Sequence, residues 1–548
     1  MSTKTETAGS PVADLAAIGQ DFWEWRHRQA PATRDDICRV PRPTGWTAKW
    51  AATDVATYQQ RLAVFAMRLD RVDVSSASLA DRIDARLLRS AIARARWELD
   101  DLRNWACNPS FYVDQSLGAV FELMLRRPPF DAGYVAELMC RLTAIPTILT
   151  AGLDNLAGHV FREYAEIAVA ELAGITETLV TVDTALRAQL PADPQAAVSH
   201  ALNRAASALE SFAASLAGSL AEMSPFTPVG RERFLHFLRE IACVSWSPEE
   251  LSSIGAQEWR RAVLMETVQA ARNAEGDPSQ VATTAEEQCA IEAELERQVR
   301  KFYADKHLLT LPDGLRHYLN LPMPAYVWPL RWLGVTDDLT DAHRLDQDAV
   351  SYVPSPSPDL PYFHGTNARD PRIGITHEGA HYMQLAMSWA QSNEIRREYY
   401  DSVANEGIAY YNEELMIHAG LFDDKPHSLQ VMYNLMRLRG LRVNVDLDLV
   451  LGNITILEAG ERLRDLVPMD QTTAFSEAGA FASTPGLGLS YVIGKHQILA
   501  WIAAASLERG EGFDLAALHD FLWRNGNVPI ELLQEEYAER RAEVESEE

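Results

Sequence analysis

The sequence predicts a mainly α, two-lobed protein with a cleft and few short strands. Three observations carry that expectation. Long segments repeat apolar residues at three- to five-residue steps, the period of a helix buried on one face. Strand-like alternation is confined to short stretches near Tyr326 and Tyr352. Clusters of Pro, Gly, Ser and Asp separate the helical blocks, and 548 residues exceed what a single core commonly organises.

Taken in order, residues 1–12 read as a disordered tail and 13–230 as an N-terminal helical lobe. Within that lobe, LADRIDARLLRSAIARARWELDDLRNW places Leu79, Ile83, Leu87, Leu88, Ile92 and Trp97 on one stripe. Breaks fall at Pro191 to Pro194, Ser224 to Gly230 and Glu275 to Ser279. Residues 231–540 read as a helical metal-binding lobe, with its motifs between 376 and 536. It opens with a helical stretch from Glu249 to Ala304. The segment Ser351 to Pro371 lacks helical character and reads as a strand pair or a cleft-lining loop. Helices then resume, and 541–548 is expected to fray as an acidic tail.

Charge narrows the function classes. Lys and Arg number 50 against 77 for Asp and Glu, a net charge of −27, so the field repels phosphate backbones and anionic lipid. No nucleic-acid or membrane partner is expected, and no feature sets an oligomeric state. The most apolar run, LGLSYVIGKHQILAWIAAASL, is interrupted by Lys495 and His496. The N-terminal stretch has no apolar run of signal-peptide length. Cys38, Cys107, Cys140, Cys243 and Cys289 are scattered singly, as expected of reduced thiols, and the expected compartment is the cytoplasm.

The chemistry concentrates in ITHEGAHYMQLAMSW, where His377, Glu378 and His381 stand in H-E-x-x-H spacing. Residues four apart share a helix face, so both imidazoles can reach one ion while Glu378 stands beside it. Zinc suits such a site, with manganese or cobalt as substitutes. A catalytic zinc takes three protein ligands plus a water and lowers that water's pKa to about 7. The third ligand is expected at Glu406 in SVANEGIAYYNEEL, a segment that carries Glu406, Tyr410, Glu413 and Ile417 on one helical face. Of Glu413 and Glu414, one reads as a partner that orients a ligand and the other as exposed.

HEGAH followed by NEGIAYY resembles the gluzincin metallopeptidases. A longer likeness includes NEGIAYYNEEL, LMRLRGLRVNVD, STPGLGLSYVIGK and FDLAALHDFLWRNGNVPIELL, together with FWEWRHRQAP and RVPRPTGW near the start. On these residues the chain resembles the bacterial family catalogued as domain of unknown function 885, whose members are described as helical and metallopeptidase-like. The resemblance implies a helical, gluzincin-like zincin fold with metal ligands His377, His381 and Glu406. It also implies Tyr491 as the phenol that stabilises an oxyanion. The chain departs from many relatives in the compact HEGAH and in Val450, where a histidine is expected.

Arg442 and Lys495 are candidate anchors for a substrate carboxylate, with a salt bridge to Asp446 or another helical acid as the alternative. His519 is a further candidate near the reacting carbonyl, or a brace for a loop. The expected function is a zinc-dependent hydrolase, most simply a metallopeptidase cleaving an amide bond in a peptide or peptide-like small substrate, with Glu378 as general base. The alternatives are a metalloenzyme of secondary metabolism on the same scaffold and a catalytically silent, metal-stabilised binding protein. Glu378 argues against the last, since a structural site has no use for a base.

Overall fold

Helical periodicity in the sequence becomes helix in the computed structural model, which describes residues 11–34, 39–274 and 281–547. Residues 1–10 of the tail expected at 1–12, Cys38, the break at Glu275 to Ser279 and Glu548 lie outside the described residues, whereas Pro11 and Val12, expected in that tail, open the first helix. Only the longer helices are numbered here. The N-terminal part contains α1 (Pro11–Gln29), α2 (Ala52–Leu69), α3 (Leu79–Arg96), α4 (Ala132–Leu156), α5 (Arg162–Glu171), α6 (Ile175–Arg187) and α7 (Gln195–Ser219). Helices α8 (Pro248–Asn273) and α9 (Ala285–Asp305) follow. After a strand region come α10 (Arg372–Trp389), α11 (Ser402–Ala419), α12 (Pro426–Leu451), α13 (Ile456–Leu466), α14 (Gln471–Ser483), α15 (Leu487–Arg509), α16 (Leu515–Arg524) and α17 (Ile530–Glu547).

Local chemistry starts and stops these helices. Ser247 accepts from Glu250 N–H while Glu250 reaches back to Ser247 N–H, a capping box with Pro248 in the first turn of α8. Asp401 caps α11 by accepting from Val403 N–H, and Gly420, at φ 93°, ends that helix in the left-handed region. Helix α4 is long and apolar enough to cross a membrane. Here its inner face, with Leu138, Leu142, Ile145 and Leu149, is packed inside the protein.

Three short strands, β1 (Tyr318–Pro322), β2 (Asp337–Asp338) and β3 (Ala349–Val353), form a sheet in the order β1-β3-β2. β1 runs parallel to β3 with Tyr318 beside Ala349, and β2 runs antiparallel to β3 with Asp337 beside Ser351. The strand expected near Tyr326 lies instead at Tyr318–Pro322, because Pro324 and Pro329 deny a ladder its donors. Tyr352 does lie in a strand. Part of the segment expected to be non-helical, Tyr362–Arg369, is a short helix. Its first N–H, on Tyr362, donates to Asp470 Oδ2 at 3.0 Å, so the stabilising acceptor comes from a distant part of the chain.

One apolar cluster runs from Leu15 on α1 to Leu533 on α17 and includes residues from both halves of the sequence. Helix α10 lies inside it and is buried almost all round, including Ile373, Ile375, Ala380 and Leu385. At roughly 1.5–3 kcal/mol for each large apolar side chain buried, the hydrophobic term holds this helix in place. Helix α8 packs along α12, α11 along α15, and α10 on α11. A Cβ at Gly440 would sit 2.6 Å from the Trp259 nitrogen, so α12 and α8 approach this closely only because the residue is glycine.

Candidate metal centre

The four-residue step on α10 brings His377 and His381 to one face, their rings 4.9 Å apart and nearly perpendicular. Helix α11 crosses that face and supplies Glu406. Its Oε2 lies 3.5 Å from His377 Nε2 and 3.3 Å from His381 Nε2. One ligand atom from each of the three residues lies within 4.8 Å of the others, and all three side chains are buried. Among the described residues this is the one such group.

Crossing geometry is set by small residues and amides. Gly407, next to Glu406, meets Gly494 of α15, where a Cβ on Gly407 would lie 2.7 Å from the Gly494 carbonyl carbon. Two buried amides tie α11 to α10. Asn412 donates to the Thr376 carbonyl at 2.8 Å, and Asn405 donates to Gln384 Oε1. Asn412 in turn accepts from Tyr303 of α9 at 2.8 Å. The ligand set is therefore held by packed helices and not by a loop.

These residues fit a divalent cation. His381 Nε2 and Glu406 Oε2 are buried and lack a hydrogen-bond partner, although they face each other at ion-pair distance. Buried polar atoms without partners are costly, and a cation between them would satisfy both. Two imidazoles and one carboxylate are a donor set that zinc accepts. Burial pushes the Glu406 carboxyl up, but His381 and His377 outweigh it and hold it well below the usual carboxylate range. Burial and Arg439 push His377 down, yet Glu413 and Glu406 leave it raised to about 9.

Glu413 lies against the candidate ligand His377. Its Oε1 lies 2.7 Å from His377 Nδ1 and 2.7 Å from Arg439 Nη2. One of the two acids was expected to be exposed, but Glu414 is buried as well and pairs with Arg261 and with Lys495 Nζ at 2.7 Å. The surrounding helices bury the whole turn, which a one-sided helix pattern does not reveal.

Glu378 is half-buried beside the ligands. On its sheet side, Tyr318 donates to Asp337 Oδ2 at 3.3 Å and Ser351 donates to Asp337 Oδ1 at 2.6 Å. Burial first, and the nearby Glu378 second, push the Asp337 carboxyl up to about 7. Tyr491 stacks nearly parallel to His377, with ring centroids 6.0 Å apart. Its ring also lies 4.8 Å from the Arg442 guanidinium.

The three expected substrate contacts have internal partners. Lys495 is 1% exposed and pairs with Glu258 at 2.5 Å as well as with Glu414, so its ammonium faces acids of α8 and α11 and not a cleft. Arg442 forms a two-pronged pair with Glu477 of α14, not with Asp446. Asp446 instead accepts from Gly486 and Leu489 N–H at the start of α15, and burial pushes it up to about 7. His519 faces the Leu308 carbonyl at 2.6 Å through Nδ1 and Tyr411 OH at 2.8 Å through Nε2, which makes it a brace between segments. Val450 lies in an apolar cluster that includes Tyr491. Sequence reasoning missed Arg439, Glu477 and Asp337. Arg439 stands between Arg437 and Arg442 in LMRLRGLRV, so nothing local singled it out.

The model of the family described as bacterial protein of unknown function, DUF885, matches residues 42–313 and 369–536. The chain belongs to this family. The matched regions include α10 and all three ligand residues. No curated protein matches. Among solved structures, a candidate lipoprotein of unknown function from Shewanella oneidensis is similar, with TM-score 0.71 and 14% identity over 97% of this chain and 100% of that one. A candidate lipoprotein from Colwellia psychrerythraea is similar too, with TM-score 0.71 and 13% identity over 96% and 98%. At these identities the likeness establishes the helical fold.

Proposed function

We propose that this chain is a zinc-dependent hydrolase of gluzincin type, a metallopeptidase on a two-lobed zincin scaffold that cleaves an amide bond in a peptide or peptide-like small substrate. The observation that carries the reading is the convergence of His377, His381 and Glu406 with Glu378 on the same helix. A bound zinc would polarise the scissile carbonyl and lower the pKa of a water. Glu378, one residue from His377, would take that water's proton and hand it to the leaving amine. Tyr491, whose ring stacks on His377, would donate its hydroxyl to the negative charge that develops on the former carbonyl oxygen. Arg442 stays committed to Glu477 and packs its guanidinium against the Tyr491 ring.

Two measurements test this. Elemental analysis after dialysis against a mild chelator is expected to find one zinc in the native chain and in Glu378→Gln, and none in His377→Ala, His381→Ala or Glu406→Ala. Screening the zinc-loaded chain against a peptide library by mass spectrometry is expected to show cleavage that Glu378→Gln abolishes. Undiminished cleavage by Glu378→Gln would sink the mechanism, and full zinc retention in Glu406→Ala would place the third ligand elsewhere. The described cysteines are unpaired thiols, which fits the proposed cytoplasmic compartment. Both similar solved structures are described as candidate lipoproteins, so fractionation of cells carrying the tagged chain decides that point.

A further inference from the structure

Arg439 lies on α12, buried, behind the metal centre. Its Nη2 is 2.7 Å from Glu413 Oε1 and 3.2 Å from His377 Nδ1, while Glu413 Oε1 is itself 2.7 Å from Nδ1. A guanidinium only donates and a carboxylate only accepts. The shorter contact therefore assigns the Nδ1 proton to Glu413, and Arg439 holds the same oxygen from beside the His377 ring. That leaves His377 Nε2 turned toward Glu406 and His381, the nitrogen a metal needs.

The same guanidinium lies 5.4 Å from the Tyr410 ring and 5.7 Å from the Tyr491 ring. Tyr491 is in turn stacked on His377. One planar cation thus touches both the acid that orients a ligand and the phenol proposed to act on the substrate. Glu413 is fully buried, so a rotation of its carboxylate would rotate the His377 imidazole with it. A lysine could supply charge here, but neither the fork nor the flat face that spans the two tyrosines.

We propose that Arg439 is a positioning residue that locks Glu413, and through it the His377 ring, in the orientation required for metal binding, and sets Tyr491 against that ring. The proposal rests on the metal-centre reading above. Its role is geometric, so conserving the charge alone does not preserve it.

The test compares the native chain with Arg439→Gln and Arg439→Lys. Zinc affinity is measured by chelator competition on metal-free protein, and the visible spectrum of the cobalt-loaded protein reports ligand geometry. Thermal melting identifies the folded fraction. Both variants are expected to bind zinc 10- to 100-fold more weakly, the range seen when a ligand's outer partner is lost. Their cobalt bands are expected to be altered. If Arg439→Gln does not fold, Arg439→Lys carries the decision. Native affinity and an unaltered cobalt spectrum in folded Arg439→Lys would overturn the proposal, because charge pairing alone would then suffice. A native chain that binds no zinc would overturn the metal-centre reading itself, and the two failures are told apart by the native chain's own titration.

Discussion

Gly494→Ala probes how the helix crossing positions the site. A Cβ at 494 would lie 2.6 Å from Gly407 Cα and closer still to the Val403 carbonyl oxygen. Non-bonded carbons rest about 3.5–4.0 Å apart, so α11 and α15 must separate by about 1 Å. Overpacking of this kind costs roughly 1–3 kcal/mol, and alanine returns about 1 kcal/mol through helix propensity. Because the clashing atoms are backbone, the cost should sit at the upper end and leave a net loss of about 2 kcal/mol. Helix α11 is tied to α10 by the Asn412 and Asn405 amides and by Glu413, so α15 is the helix expected to move, carrying Tyr491 with it. Zinc should be retained within a few-fold, whereas turnover of a library-identified peptide should fall by about 100-fold, the scale of a 1 Å misplacement. Gly218→Ala, on α7 with open space around it, serves as the control. Unchanged melting and turnover in Gly494→Ala, or zinc loss without loss of turnover, refutes this account.

Further outcomes follow from the same geometry. Tyr491→Phe should keep zinc and fold while depressing kcat more than KM, and equal kinetics would return Tyr491 to a packing role. Lys495→Met should destabilise the protein by about 3–5 kcal/mol in denaturant unfolding, because Glu258 and Glu414 both lose their buried cation and keep only more exposed partners such as Arg261. A weakened KM without lost stability would show instead that the ammonium faces substrate. Asp446 titrates near 3.8 when unfolded and about 7 when folded, so the folded state binds more protons between those values and loses stability as pH rises through that window. Asp446→Asn should therefore gain on the native chain by roughly 1.4 kcal/mol per pH unit from about pH 4 to 7, and a pH-independent difference would refute the assignment.

The helical class was legible because burial on one side of a helix writes a 3.6-residue period into the chain, as in LADRIDARLLRSAIARAR, which forms α3 behind its N-cap, Ser78. The H-E-x-x-H pair was legible for the same reason, since a four-residue step on one helix fixes which side chains share a face. Glu406 was legible as a candidate, because a two-His helix needs a third ligand and NEGIAYY offers a carboxylate on a second helix, but its place opposite the imidazoles depends on how α11 crosses α10. That crossing is decided by contacts far apart in sequence, such as Gly407 against Gly494 and Asn405 against Gln384. Partners of charged side chains were the least legible part. Lys495 could equally have faced solvent, substrate or an acid, and only packing of α8 against α15 brought Glu258 to it. The sequence by itself determined local periodicity, caps and the spacing of ligands on one helix, because these depend on neighbours along the chain. Tertiary structure alone decided that Arg439 grips Glu413, that Arg442 is spent on Glu477 and that His519 is a brace, because each pairing joins separate elements through a buried contact with no local signature.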